Sequence, residues 1–337
     1  MRTKTILLTY ILLTLNGFAS TSEETPSPLP PHGPYVKEGY NFYSSIEFLY
    51  SKAIQNGLCY AETGVAIIPG TTSTSSGSVH RVHFPWVPGF KVGIGYYPPH
   101  DGWDLFANYT WLHSSSSDST KSENGNIIPY GMSSKLINSI TSAKADWNLH
   151  FNSVDLELGR NLYVSRFITF RPFGGLKFTW QDQHLLTRYQ VNDSINALNG
   201  IASSHQDQDV WGLGIRLGGN SNWYFYRSWS IATKVAFSGL WLDYNNTRKD
   251  RFEYYDSPGF VINNLKKGTD TIKAVLELFL GLHGEWWFKE ERYHLALQGG
   301  FDEQLWINFG EFIYLFSQGG HGDFSMCGFT MKARLDF

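Results

Sequence analysis

From Tyr40 onward, apolar and polar residues alternate with a period of two over long stretches, and no helical period dominates. In Trp103–Trp111 the large residues Trp103, Leu105, Tyr109 and Trp111 share one parity with Ala107. Asp104, Asn108 and Thr110 take the other, with Phe106 as the exception. Ile168, Phe170, Leu176, Phe178 and Trp180 face away from Arg171 and Lys177. Trp211, Leu213, Ile215 and Leu217 alternate with Gly212, Gly214, Arg216 and Gly218. Trp229, Ile231, Val235, Phe237 and Trp241 alternate with Ser230, Lys234 and Ser238. Ile272, Leu276, Leu278, Leu280 and Leu282 oppose Lys273 and Glu277, and the chain closes on Phe329, Met331, Ala333, Leu335 and Phe337 against Thr330, Lys332, Arg334 and Asp336.

A half-buried antiparallel strand gives such a pattern in two settings. A soluble sandwich turns the apolar face to its core, whereas a membrane barrel turns it to lipid and keeps the polar face in its lumen. These strands exceed the roughly 5–6 residues common in soluble sheets and reach the roughly 9–11 needed to cross a bilayer. Trp103 with Trp111, and Trp229 with Trp241, bracket whole strands, as interfacial aromatic girdles do. The expected fold is therefore all-β: an antiparallel transmembrane outer-membrane β-barrel.

Alternation of short and long connections gives the strand number, because such barrels have short periplasmic turns and longer external loops. Short connections fall at Pro98–Gly102, Asn161–Ser165, Asn220–Arg227 and Glu285–Glu291. Long ones fall at Gly57–Phe84, Leu112–Ala145, Gln181–Asp207 and Asn245–Asp270. Strands are expected near 40–54, 85–97, 103–112, 146–160, 166–180, 208–219, 228–243, 270–284, 292–306 and 323–337. That makes about ten strands, with both ends in the periplasm. Ile307–Gly322 is too apolar for an ordinary external loop. It either folds inward as a constriction or adds a strand pair, which would give twelve; residues 57–64 could supply another short strand. Ten strands about 4.7 Å apart and tilted about 40° enclose a backbone diameter of roughly 20 Å, too narrow for a wide general pore.

Composition narrows the classes further. Charged residues make up 17% and aromatic residues 16% of the 337, and mean hydropathy is −0.26, which excludes a bundle of membrane helices. A net charge of −3 and a pI near 6.4 give no basic field for nucleic acid. Two cysteines cannot staple a disulfide scaffold. Residues 1–19 read as a signal peptide: Arg2 and Lys4 precede the apolar Ile6–Leu15, and Gly17-Phe18-Ala19 supplies small residues for cleavage. Residues 20–39 hold the proline-rich Glu23–Pro34 and read as a periplasmic linker, leaving 40–337 as the barrel domain.

Inward parity assigns Asp104, Asp155, Glu157, Arg171, Lys177, Arg216, Lys234, Lys273, Glu277, Lys332 and Arg334 to the lumen. Two arrangements are open. Opposite charges on opposite walls would set a transverse field with weak ion selectivity; paired charges would plug a narrow bore. Cys59 and Cys327 lie toward the external ends of the first and last strands, which are neighbours in a closed barrel, so a disulfide clasping the seam is one expectation. Free thiols or intermolecular cross-linking are the others. His321, Asp323 and Ser325 are the right types for acyl transfer, but five consecutive residues rarely form a triad. No catalytic site, metal or cofactor is expected, and His80 with His83 lacks a nearby carboxylate or thiol.

Phe329, Met331, Leu335 and Phe337 form an amphipathic end that resembles the C-terminal signal read by the assembly machinery of bacterial outer-membrane barrels. Phe42–Ala61, Gly212–Trp229, Gly299–Trp306 and Gly322–Phe337 resemble strands of the major outer-membrane protein family of Legionella-type bacteria, with relatives in Chlamydia-like organisms. The sequence departs from that pattern at Ser51 and in the loops. The resemblance implies an outer-membrane barrel with porin-like or surface-exposed roles and carries no catalytic residues. The expected function is a passive channel for small solutes; the alternative is a surface-structural or adhesive barrel of little conductance. Expected partners are outer-membrane lipid and lipopolysaccharide, the barrel-assembly machinery, further copies of the chain and host-surface ligands, but no nucleic acid.

Overall fold

The structure is a computed structural model. It describes residues 36, 39–64, 77–98, 102–122, 127–130, 132, 140–165, 167–193, 198–226, 228–289, 291–314 and 321–337. The expected signal peptide and the proline-rich segment lie outside the described residues. Fourteen strands form one sheet: β1 (Phe42–Gln55), β2 (Cys59–Thr63), β3 (Ser78–Arg81), β4 (Trp86–Tyr96), β5 (Trp103–Lys121), β6 (Ile127–Pro129), β7 (Ile140–Arg160), β8 (Leu162–Ser165), β9 (Ile168–Asp193), β10 (Leu198–Tyr226), β11 (Trp229–Tyr254), β12 (Phe260–Phe288), β13 (Tyr293–Glu311) and β14 (His321–Asp336).

Ten of these close an antiparallel barrel in the order β1, β4, β5, β7, β9, β10, β11, β12, β13, β14 and back to β1. At the seam Phe42 and Phe337 exchange backbone hydrogen bonds of 3.3 and 3.0 Å. The four other strands are short and lie outside this ring of ten: β2 pairs with β3 on one side and β6 on the other near the external mouth, β6 bridges to β7, and β8 folds back on β9. The 57–64 region thus supplies a strand, but outside the ten-strand ring. Ile307–Glu311 adds no strand pair. It turns at Asn308, whose φ is 54°, and bends inward.

The strands are longer than alternation of apolar residues suggested. β10 pairs with β11 as far as Tyr226↔Trp229, so residues 220–226 are strand and not turn. β12 likewise runs to Phe288, before a tight turn in which Lys289 and Glu291 take positive φ. At the other end, three supposed loops are largely strand. β5 and β7 remain paired to Lys121↔Ser142, β9 and β10 to Asp193↔Leu198, and β11 and β12 to Phe252↔Phe260. The Ser, Thr and Asn of these segments are compatible with pairing because only alternate positions there need be apolar. Leu185, Tyr189, Val191, Ala202 and Phe252 occupy those positions and are buried.

One wall shows how the sequence changes polarity along a strand without changing parity. On β7 the inward odd positions run Glu157, Asp155, Ser153 and then Phe151, Leu149, Trp147. The outward even positions run Leu158, Leu156, Val154 and then His150, Asn148, Asp146. The lower zone is thus apolar outside and charged inside, as a bilayer requires. The upper zone is polar outside and apolar inside, as water requires. Trp111, Trp180, Trp211, Trp241 and Trp86 mark the boundary on the outer wall. Trp211 meets Trp241 at 5.1 Å and Trp86 stacks on Tyr50 at 5.5 Å. Trp103, Trp229 and Trp286 sit at the periplasmic edge, where Trp229 and Trp286 meet at 5.6 Å. From Trp229 to Trp241 the strand rises about 30 Å along the barrel normal, given ~3.3 Å per residue and ~40° tilt.

Candidate lumen and external plug

Charged groups fill the middle of the lumen because the inward positions of six neighbouring strands converge there. Glu277 on β12 accepts from Lys177 on β9 at 3.0 Å and, side-on, from Nε and Nη2 of the Arg216 guanidinium on β10 at 3.2 and 2.6 Å; Lys234 on β11 lies 3.5 Å away. Lys177 also meets Asp155 at 2.7 Å, and Arg216 also meets Glu157. Glu157 continues the chain to Arg171 at 2.8 Å, and Arg171 grips Asp104 at 2.9 and 3.0 Å. Phe173 lies between the Arg171 and Arg216 guanidinium groups, 5.5 and 5.0 Å from them. Gly159 makes room for Arg171, since a Cβ there would sit 2.5 Å from the guanidinium.

A second group lies across the bore. Lys91 on β4 bridges Asp302 at 2.7 Å and Glu47 at 3.2 Å. In register, Lys91, Glu47 and Lys332 form a row of alternating sign on β4, β1 and β14. Lys332 also lies over the Phe106 ring at 5.3 Å. Arg334 stacks on Tyr43 at 3.7 Å and pairs with Asp336, while the Tyr43 hydroxyl donates to Asp104 at 2.8 Å. The Tyr43 ring packs where a Cβ on Gly95 would stand. Nearer the periplasm, His294 meets Asp336 at 2.8 Å and Glu285 at 3.4 Å.

The residues assigned to the lumen by parity are placed as follows. Asp104, Asp155, Glu157, Arg171, Lys177, Arg216, Lys234 and Glu277 belong to one ion-pair network. Lys332 and Arg334 stand on the facing wall. Lys273 sits higher and pairs with Glu311 of the inward-bent segment at 2.9 Å. Acidic and basic groups interleave, so they do not form opposite walls: Lys91, Arg171, Lys177, Arg216, Lys234 and Arg334 each reach a carboxylate, while Lys332 rests on the Phe106 ring. The same parity also leads to Glu47, Lys91 and Asp302, which apolar and aromatic neighbours concealed, and Asp336, on the polar parity of the last strand, joins Arg334 and His294. Among and below these groups lies a polar cavity of about 190 Å³, lined by Lys91, Lys234, Lys332, Asn220, Asn222 and Gln298, among others.

Above the network the bore is packed with apolar side chains. Trp147, Phe151, Trp306, Phe309 and Phe324 are fully buried and continuous with Tyr60, Leu185, Tyr189 and Tyr244. The inward bend of 307–314 completes this plug. The Tyr244 hydroxyl donates to Phe309 O at 2.9 Å, Asn246 donates to Glu311 O at 2.7 Å, and the Glu311 amide donates to Gln208 at 2.7 Å. Arg248 donates to Ile313 O at 2.7 Å, and Tyr314 to Gly57 O at 2.8 Å. Sequence reasoning offered the inward constriction as one of two fates for this stretch, but missed that the supposed loops supply its walls.

The seam disulfide is not formed: Cys59 and Cys327 are free thiols. Cys327 stands in register with Lys52 on β1 and Glu303 on β13, whereas β1 ends at Gln55 and the chain turns at Gly57, with φ 89°, before Cys59. Cys59 then pairs with Arg81, away from the seam. Phe329, Met331 and Leu335 point outward to the lipid zone, and Phe337 closes the seam. Asp323 accepts the Asn308 amide at 2.7 Å, and His80 pairs with Thr63 at 2.8 Å.

Over residues 34–337 the chain matches the family described as Legionella pneumophila major outer membrane protein precursor. The chain belongs to this family. The barrel described above is thus an outer-membrane barrel, and the apolar band between its aromatic girdles meets the lipid of that membrane. No curated protein matches the chain. Among solved structures, the outer-membrane protease OmpT from Escherichia coli is similar at 13% identity and TM-score 0.39, covering 88% of this chain and 96% of its own. The toluene transporter TodX of Pseudomonas putida follows at 10% and 0.29, covering 89% and 91%. A Pseudomonas aeruginosa FadL homologue stands at 8% and 0.26, covering 88% and 89%. Likenesses this distant decide nothing about what this family member does.

Proposed function

We propose that the protein is a porin-like channel of narrow bore for small solutes, closed in this conformation by its own external plug. The observation that carries this reading is the polar cavity of about 190 Å³ inside the membrane zone, lined by charged and amide side chains. Such a lining suits hydrated small solutes and passes nothing large. Glu311 is a polar anchor of the plug: its carboxylate pairs with Lys273 and Lys267, and its backbone bonds Asn246 and Gln208. Release of that segment withdraws Phe309 and Phe312 from the apolar cluster that fills the external bore. No catalytic role is assigned, since His321, Asp323 and Ser325 follow one another along a single strand.

Planar-bilayer recording tests the reading. The wild-type chain is expected to give rare, small steps, and Glu311→Ala is expected to raise their frequency at least tenfold. Silence above leak in both proteins rejects it. A second reading, a closed surface-structural barrel, is favoured by the continuity of the apolar plug across the mouth. Liposome swelling separates the two: entry of small sugars supports the channel, and impermeability together with cell binding that depends on the β11–β12 tip supports the surface barrel.

A further inference from the structure

The lipid-facing wall is not uniformly filled. Between β1 and β9 an apolar groove of about 440 Å³ runs across the outer surface in the periplasmic half of the band. It arises from a local choice of small residues. Outward positions on this wall are otherwise large, with Phe42, Tyr96, Leu105 and Leu158 along one side and Ile94, Leu156 and Leu176 along the other. Ala107 and Gly174 stand in the same outward rows and leave the floor low. A Cβ added at Gly174 would meet only the Leu217 side chain, at 3.3 Å, so no packing within the barrel requires glycine there. The groove is roughly three times the ~150 Å³ apolar cavity that accepts one benzene ring.

One outward step toward the periplasm, about 6.6 Å along the strands, Trp103 and Arg160 face each other in register below Leu105 and Leu158. The Arg160 guanidinium lies 5.9 Å from the Trp103 ring. An outward cation at the edge of the apolar band stands at headgroup depth, where basic side chains meet lipid phosphates. Apolar groove and cation together have the shape and charge of an amphiphile with one negative headgroup.

We propose that this groove is a binding site for a glycerophospholipid of the periplasmic leaflet, with one acyl chain seated over Ala107 and Gly174 and the phosphate at Arg160. The site stands on the lipid-facing wall and does not depend on whether the lumen conducts.

Native mass spectrometry of the full chain tests it, with the protein released from mild detergent doped with dioleoyl phosphatidylglycerol. The wild type is expected to retain one lipid. Ala107→Leu, which fills the floor, and Arg160→Gln, which removes the charge, are each expected to lower retention at least fivefold. Ala274→Leu, an equal addition of bulk on the lipid-facing side of β12, leaves retention unchanged. Heat-modifiable migration on gels verifies that each variant is folded. Equal retention by all four proteins overturns the proposal. So does a wild-type dimer peak that Ala107→Leu abolishes, because the groove then belongs to a second copy of the chain.

Discussion

The membrane-embedded and external zones of this barrel use the same strands, parity and hydrogen-bond ladder, yet opposite chemistry. On β9 the inward odd positions change from Arg171 and Lys177 to Leu185, Tyr189 and Val191, while the outward even positions change from Phe170, Leu176 and Phe178 to Asp182, His184 and Arg188. Below the tryptophan boundary the solvent outside is hydrocarbon, so cohesion inside comes from ion pairs and hydrogen bonds. Above it the solvent is water, so cohesion comes from apolar burial. A backbone address therefore does not say which residue belongs there; the medium on the far side of the wall does.

The largest expected effect breaks the lower zone. Arg216→Met leaves Glu277 and Glu157 short of a partner in a buried network, and losing one partner of such a set costs about 3–5 kcal/mol. A urea midpoint in detergent should fall accordingly, whereas Arg251→Met, outward on external β11, should stay within about 0.5 kcal/mol. An effect of similar size but different place is expected from Trp147→Ala, which removes a fully buried ring from the plug at about 3–5 kcal/mol. Limited proteolysis should then cut the external hairpins while the membrane zone keeps its heat-modifiable fold. Equal protease resistance in both zones would show that they do not open separately.

The outer face sharpens the contrast next. Ile215 is 64% exposed on the lipid side near the middle of β10, so Ile215→Arg should cost about 2–4 kcal/mol at that depth. Thr247→Arg, on the same face above the boundary, should be close to neutral by the same unfolding measurement. The smallest expected effect belongs to the external zone alone. Burial raises the Asp146 carboxyl, but hydrogen bonds from Ser117 and Lys144 and the charges of Lys144 and Arg188 outweigh it and hold the group below the ordinary carboxylate range. A depressed carboxyl adds stability above its unfolded pKa and loses it as pH falls through the folded one. Asp146→Asn should therefore cost under ~1 kcal/mol at neutral pH and nothing once the wild-type group is protonated in acid. An unchanged difference across that range would reject the assignment.

What could be read from the sequence follows the same division. Ten strands, their order and most lumen charges were legible because in the membrane zone an apolar outer face must alternate without interruption, as Trp211, Leu213, Ile215 and Leu217 do. The external extensions were not. There the outward face needs only to be polar, and inward residues such as Gln181, Gln183 and Thr187 on β9 blur the alternation. Glu47 and Lys91 escaped notice although parity held, because aromatic neighbours dominate their strands. The supposed disulfide failed on register: nearness to the seam in sequence says nothing about where the chain turns at Gly57.

The reciprocal bonds between Phe42 and Phe337 carry a kinetic consequence. They join positions roughly 295 residues apart, so the last ladder closes a loop almost as long as the domain, at an entropic cost of roughly 5 kcal/mol for an unstructured chain. Every other wall ladder can form from nearer neighbours, and until this one forms two raw strand edges remain open to other chains. Folding of so non-local a topology is intrinsically slow. The interval before closure is the period in which the chain is most exposed to misassembly.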